Sequence, residues 1–424
     1  MKLDRTLIPE KSGIENINFS FPEKISLDNQ TPLHYYHEPN SEVVKIEWIF
    51  PAGSWFGNKN LQSSLTNTLI TSGTSKWSQK EIAEKIDFYG AYFEKTQNKD
   101  HGMLTVFSLR KYAIEVLKII NEVLNDCVFP QDEMLKTLNI RKQKFLINSE
   151  KVSSLARREF NPLIFGAEHP YGKKVQLSDY DNIKRNDLIS FYNRFYKQQP
   201  TILAAGNVDK KLISEINKLF GSGPVLSTQR RKEFKDVHVD VTSRLIEKKD
   251  AVQSAIRMGR KMFNRTHEDF SEMQVLITLF GGYFGSRLMS NLREDKGYTY
   301  GIGAGLNSML NGGVFFISTE VGAAATSEAK KEIFVEMKIL RDNPVSAHEL
   351  DTVKNYMLGR ILRSTDGVFS SIDRFKGLHM FGQNVDHFTD MVQRIRDVQP
   401  ARLQELANQW LDAGDMTVVV TGAK

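Results

Sequence analysis

The chain repeats itself once, and that repeat limits its possible folds more than any other feature. Thr201 to Gly206 and Thr417 to Gly422 are short β-rich runs closed by glycine, and their threonines stand 216 positions apart. An amphipathic helical pattern precedes each run. Ile183, Leu188, Phe191 and Phe195 form the first, and Val398, Leu403, Leu406 and Trp410 form the second, 215 positions later. A proline-initiated helix also occurs twice, at Pro130 to Glu133 and at Pro344 to Glu349, with the glutamates again 216 apart. Three elements in one order at one offset predict two copies of a single αβ domain.

The first copy opens on an alternating strand from Val43 to Phe50, closed by Pro51, Ala52 and Gly53. Helices are predicted over about 60–71, where Leu61, Leu65 and Leu69 share a face, and over about 78–88, with Ser78 as N-cap. Strands near 91–97 and 103–109 flank a turn at Asn98 to Gly102, and helices follow around 112–125 and 131–152. The second copy repeats this shape: a strand near 254–259, helices near 268–280 and 284–293, and a hairpin from Tyr298 to Val321 turning at Asn311, Gly312 and Gly313. Hairpin-paired strands with several helices predict an α+β class, two homologous αβ domains, each a mostly antiparallel sheet covered by helices. The expected division is 1–222, a polar linker at 223–242 that follows Gly221 and Ser222, and 243–424.

Composition narrows the function. A net charge of +6 with both signs interspersed, and no basic run longer than Arg230, Arg231 and Lys232, predicts no nucleic-acid partner. Cys127 stands alone, so disulfides and cysteine zinc sites are excluded. No run approaches 18 apolar residues and the N-terminus lacks a signal-peptide pattern, so no membrane span and a cytoplasmic location are expected.

Several local runs carry a resemblance. They include Ser72, Gly73 and Thr74 after the first helix, Tyr89, Gly90 and Ala91 after the second, and His169 to Gly172. In the second copy they are Ser286, Arg287 and Leu288 and the stretch Leu292 to Tyr300. With these the chain resembles the insulinase/pitrilysin family of zinc metallopeptidases from about Leu27 onward. It is most similar to half-length members such as the mitochondrial processing peptidases and their bacterial relatives. The resemblance implies a metallopeptidase-like (LuxS) fold and dimers enclosing a chamber.

Active members carry His-x-x-Glu-His on the helix before the Gly-Thr, two imidazoles one turn apart for Zn²⁺ and a Glu as general base. The matching positions here are Ser64, Asn67 and Thr68. Helical spacing would bring the three together, but hydroxyls and an amide are poor zinc ligands and no general base. The family's third ligand, a Glu about 77 positions further on, falls at Phe145 or a neighbour, where Arg141, Lys142 and Lys144 add positive charge. Its substrate-strand Asn-Ala is replaced by Glu94 and Lys95. No metal is therefore expected on this chain.

One family pair remains. An Arg and a Tyr seven residues apart reach toward the facing active site, and Arg293 and Tyr300 fit that spacing. Arg293 is expected at a helix end, Gly297 at the turn and Tyr300 at the start of the next strand. A guanidinium and a phenol are apt donors to a carbonyl gaining negative charge. Capping and packing are their purely structural alternatives. The resemblance implies a non-catalytic subunit whose paralogous partner carries zinc and whose substrate is a peptide or unfolded segment. The same face allows a homodimer in isolation. The rival is a scaffold or binding protein of the same fold, like the bc1 core subunits, and the third alternative a metallopeptidase built on Glu150. His34 and His37 look metal-like but are predicted in a strand, where i and i+3 face opposite ways. Gly281 to Gly285 follows a helix rather than a strand, so it is read as a helix break rather than a dinucleotide fingerprint.

Overall fold

The computed structural model describes residues 13–14, 16–223, 234 and 239–423, so most of the predicted linker lies outside the described residues. The first half contains strands β1 (Glu23–Ser26), β2 (Pro32–His37), β3 (Val43–Phe50), β4 (Tyr92–Gln97), β5 (Gly102–Leu109) and β6 (Thr201–Gly206). Its helices are α1 (Gln62–Thr68), α2 (Gln79–Phe88), α3 (Ala113–Asp126), α4 (Gln131–Ser149), α5 (Val152–Phe165), α6 (Asp179–Asn182), α7 (Arg185–Phe195) and α8 (Lys210–Phe220). The second half contains β7 (Ser243–Glu247), β8 (Gln253–Met262), β9 (Thr299–Met309), β10 (Gly312–Gly322) and β11 (Thr417–Gly422). With them are α9 (Phe270–Ile277), α10 (Thr326–Asp342), α11 (Ala347–Arg363), α12 (Gly367–His379), α13 (Val385–Asp397) and α14 (Pro400–Trp410).

The duplication is visible in the hydrogen bonding. The first sheet runs β1-β2-β6-β3-β5-β4 and the second β7-β11-β8-β10-β9. Without β1 the two orders correspond strand for strand. In each, one pair is parallel (β2 with β6, β7 with β11) and the neighbours beyond it are antiparallel. The predicted mixed, mostly antiparallel class holds.

Local chemistry explains several elements. Ser78 caps α2 and Glu81 returns the favour, a reciprocal capping box. The helix expected over 131–152 ends at Ser149, and a separate helix, α5, follows after Glu150 and Lys151. That second helix was not foreseen, and it crosses to the other half. Val152, Ala156, Phe160 and Ile164 recur every four residues and pack on Ala255, Val314 and Val419 of the second sheet. In return, Ile372 and Phe375 of α12 pack on Ile49, Leu203 and Ala205 of the first sheet. The two halves thus exchange one helix each, and the central strands β3, β6 and β11 are buried on both faces.

The exchange accounts for two charged residues in the middle of β3. Val44, Ile46, Trp48 and Phe50 enter their own half's core, while Lys45 and Glu47, 5% and 2% exposed, face the visiting helix. Lys45 meets Asp373 at 2.6 Å, and Glu47 accepts from Lys376 at 3.0 Å and from Thr105 at 3.1 Å. Buried pairs of this kind add little net stability, yet removing one partner costs about 3–5 kcal/mol because the other charge is stranded.

His34 lies in the same junction, its ring 4.8 Å from those of both Phe375 and His379. It is thus a buried packing residue, while His37 points to solvent. Burial, with repulsion from His379 and Lys24, pushes the His34 imidazole down to about 4. An unfolded imidazole takes a proton near 6.5. The junction therefore contributes its full stability above pH 6.5 and loses it as pH falls toward 4, because the unfolded chain binds the proton first. We expect His34→Phe to remove part of that acid sensitivity. The check is hydrogen exchange of β2 and α12 across this window; an unchanged pH slope in the variant would contradict it.

Candidate functional site

The helix that the family resemblance marks for a metal is α1, and its two half-buried positions, Ser64 and Thr68, are tied down by a cation. Arg141, reaching over from α4, donates to the Ser64 hydroxyl at 3.2 Å, to the Ser64 carbonyl at 3.3 Å and to the Thr68 hydroxyl. Arg141 stands one turn before Phe145, and it is Arg141 that meets α1. Phe145 packs instead against Tyr180, the rings tilted with centroids 5.5 Å apart. Asn67 does not join Ser64 and Thr68. It turns inward, and its amide donates to the Tyr196 hydroxyl at 2.8 Å in the core.

A second cation lies further along, where Lys95 of β4 donates to Thr71 at 2.6 Å, and burial holds its ammonium below the usual lysine range. Arg141 thus puts a positive charge where a divalent cation between Ser64 and Thr68 would sit. At about 4 Å and an effective dielectric of about 20, each unit pair repels by about 4 kcal/mol, and a double charge doubles that. Among the described residues no group of three His, Cys, Asp or Glu is arranged to hold a metal ion. The residues present do not fit zinc. Glu150 offers no substitute, since it is exposed and paired with Lys248.

The other candidate pair is held in the opposite way, with a rigid base and free tips. A π-helical segment, Met289–Asp295, ends with Arg293 in its last turn. Arg287 anchors the start of this segment through a two-pronged contact with Glu349, both bonds 2.8 Å. Gly297, at φ +64°, turns the chain, and the Tyr298 amide bonds back to the Leu292 carbonyl at 2.9 Å.

Tyr300 then falls on the edge strand β9. Thr299 pairs with Val321 and Ile302 with Thr319, so Tyr300 and Gly301 together oppose Glu320 alone. This is a β-bulge, a device that redirects a side chain. The Thr299 hydroxyl fastens it, accepting from the Gly301 amide at 3.0 Å and donating toward the Glu320 carbonyl at 2.7 Å. The Thr319 hydroxyl adds a bond to the Gly301 carbonyl at 3.0 Å. Tyr300 ends up 94% exposed. Arg293 lies 4.4 Å over the ring of Phe284, itself largely exposed. Neither Arg293 nor Tyr300 has a hydrogen-bond or ion-pair partner among the described residues.

Comparison with known proteins fits this geometry. "Insulinase (Peptidase family M16)" matches residues 34–160 and "Peptidase M16 inactive domain" matches residues 182–357. The chain belongs to the insulinase, or M16, peptidase family. It is 22% identical to an "Uncharacterized zinc protease" of Rickettsia bellii, covering 96% of this chain and 98% of that one. It is also 22% identical to the "Uncharacterized zinc protease YmxG" of Bacillus subtilis, over 80% and 82%. A third relative, from Helicobacter pylori, is called "Non-peptidase homolog YmxG" and is 18% identical over 93% of each chain. In fold, the chain is similar to a peptidase M16 inactive domain from Pseudomonas fluorescens, with a TM-score of 0.85, 21% identity and coverage of 95% and 98%.

At the positions where the resemblance places the zinc ligands, this M16 chain carries Ser64, Asn67 and Thr68, side chains that zinc does not favour. The sequence pointed to surplus positive charge near α1, but not to the cross-link that Arg141 makes. It also gave no sign of the two threonines behind Tyr300. The two hydroxyls meet at 3.0 Å only because the bulge shifts the register between them. Replacing Ser64 and Thr68 with His supplies two imidazoles one turn apart. We expect that double variant to hold no stoichiometric zinc while Arg141 remains, and to bind it once Arg141→Glu is added. Atomic absorption after dialysis measures this, and equal zinc in both variants would show that Arg141 does not govern the site.

Proposed function

We propose that this chain is the non-catalytic subunit of a heterodimeric zinc peptidase. A paralogous subunit of the same fold would carry the His-x-x-Glu-His helix and the Zn²⁺. This chain would close the chamber and present Arg293 and Tyr300 to that subunit's active site. The observation that carries the reading is the contrast between the two sites. The chain's own zinc position is plugged by a guanidinium, while two strong donors stand unpaired on a fastened turn and an edge strand.

The chemistry follows from what those donors do. A guanidinium and a phenol hold an extended peptide by its carbonyl oxygens, and they bind more tightly as one of those oxygens gains negative charge. Because both tips are idle in the isolated chain, they need break no internal bond to do this. The substrate class is an extended peptide or unfolded segment, laid beside an edge strand.

The test is a mixture of this chain with a motif-bearing paralogue. Arg293→Ala and Tyr300→Phe should each lower kcat/KM about tenfold to a hundredfold, the scale of one lost charge-assisted bond of about 1.5–3 kcal/mol. Subunit affinity, measured by sedimentation, should stay unchanged. If activity is untouched in both variants, or no paralogue gives activity, the chain is a scaffold of this fold without a role in proteolysis.

A further inference from the structure

The second half holds a cavity of about 320 Å³ whose lining has no place in the reading above. It lies between α9, the π-helical turn after it, β9, α11, α12 and α13. By sheet register it is the second copy's version of the metal cleft. Ile49 pairs with Thr201 and Gly259 with Thr417, and Gln274 and Thr278 follow Gly259 at the spacing with which Ser64 and Thr68 follow Ile49.

Fifteen residues line it; three are arginines and none is acidic. Arg265 donates to the Gly377 carbonyl and lies over the ring of Phe381. Arg374 lies over Phe388 at 5.0 Å, its Nη2 meets only the Met391 sulfur at 3.4 Å, and its Nε is buried with no partner. Arg360 enters from the exposed side of α11. Among the described residues none of the three pairs with a carboxylate. Burial and the nearness of Arg265 push the Arg374 guanidinium down to about 10, which marks two like charges confined together. Natural interiors seldom leave such charges uncompensated.

Of the other lining residues Gln274, Thr278 and Ser364 are polar, the two hydroxyls donating to carbonyls of their own helices, while Ile277, Leu306, Met357, Met391 and Ile395 give the cavity an apolar wall. The volume is at the lower end for small-molecule sites, about 300–1,000 Å³. We propose that this cavity binds a small organic carboxylate with a short aliphatic body, its acid group between Arg265 and Arg374 and its chain against the apolar wall. A carboxylate accepts from two guanidiniums at once and supplies the missing negative charge. A bare inorganic anion would leave the apolar wall uncovered. A cationic ligand would meet three like charges.

Hexanoate is the probe, added to the full chain and followed by calorimetric titration and thermal unfolding. It should raise the unfolding midpoint; hexylamine should not, and hexan-1-ol and inorganic phosphate should bind at least about tenfold more weakly. Arg374→Gln and, separately, the exposed Arg360→Gln should each weaken hexanoate binding about tenfold or more. If Arg374→Gln does not fold, Arg360→Gln and a crystal soaked with 6-bromohexanoate decide, since the bromine should appear inside the cavity at the end away from Arg374. Equal binding of hexanol or phosphate, unchanged affinity in the folded variants, or bromine outside the cavity would each overturn the proposal.

Discussion

The exchange of α5 and α12 is the contact on which the rest of the molecule depends. A sheet covered on one face only must keep the other polar. Here each half lends a helix to the other, so the central strands β3, β6 and β11 are buried on both faces. That is why β3 reads as alternating apolar and charged residues yet is buried along nearly its whole length. Its charged face was made for a helix more than three hundred residues away, with Asp373 against Lys45 and Lys376 against Glu47. Phe160 and Phe375, each almost fully buried, supply the apolar side of the same bargain. The exchange fixes the two sheets relative to each other and leaves β4 and β9, the edges opposite β1 and β7, without a further strand.

Within that frame Arg141 does structurally what a metal would do. A zinc ion held by α1 and α4 would tie the two helices together. The guanidinium ties them through three hydrogen bonds to Ser64 and Thr68. Its planar fork suits bridging two acceptors on successive turns, which a lysine could not do with equal geometry. The helix pair therefore keeps its spacing although the chemistry has gone. Asn67, freed from any role as a base, is recruited to satisfy the buried Tyr196 hydroxyl.

Much of this was legible in the sequence, and for identifiable reasons. The repeat at 215–216 residues survived because Thr201 and Thr417 occupy the same register in two sheets of the same order. Ser78 announced its helix because a capping box is local chemistry. Gly297 marked the turn before β9 because only a residue without a side chain takes its left-handed backbone without strain. The failures all required knowledge of distant neighbours. α5 was missed because its apolar stripe has meaning only against the other half's sheet. The burial of His34 is not legible because nothing nearby in sequence tells of Phe375. The bulge at Tyr300 depends on a cross-strand count that no single strand reveals.

The two copies of the cleft have diverged in one direction. In the first, Arg141 and Lys95 line the space beside α1; in the second, Arg265, Arg360 and Arg374 line the space beside α9. Each has lost or never held the carboxylates and imidazoles that a divalent cation needs, and each has filled the gap with positive charge. The difference lies in how that charge is spent. Arg141 satisfies itself on hydroxyls and a carbonyl of its own chain, which closes its cleft to any partner. Arg374 finds only a thioether and an aromatic face, so its charge remains to be answered from outside. A fold that offers the same cradle twice can thus use one copy as a strut and leave the other as a receptor, with no change in sheet order or helix placement.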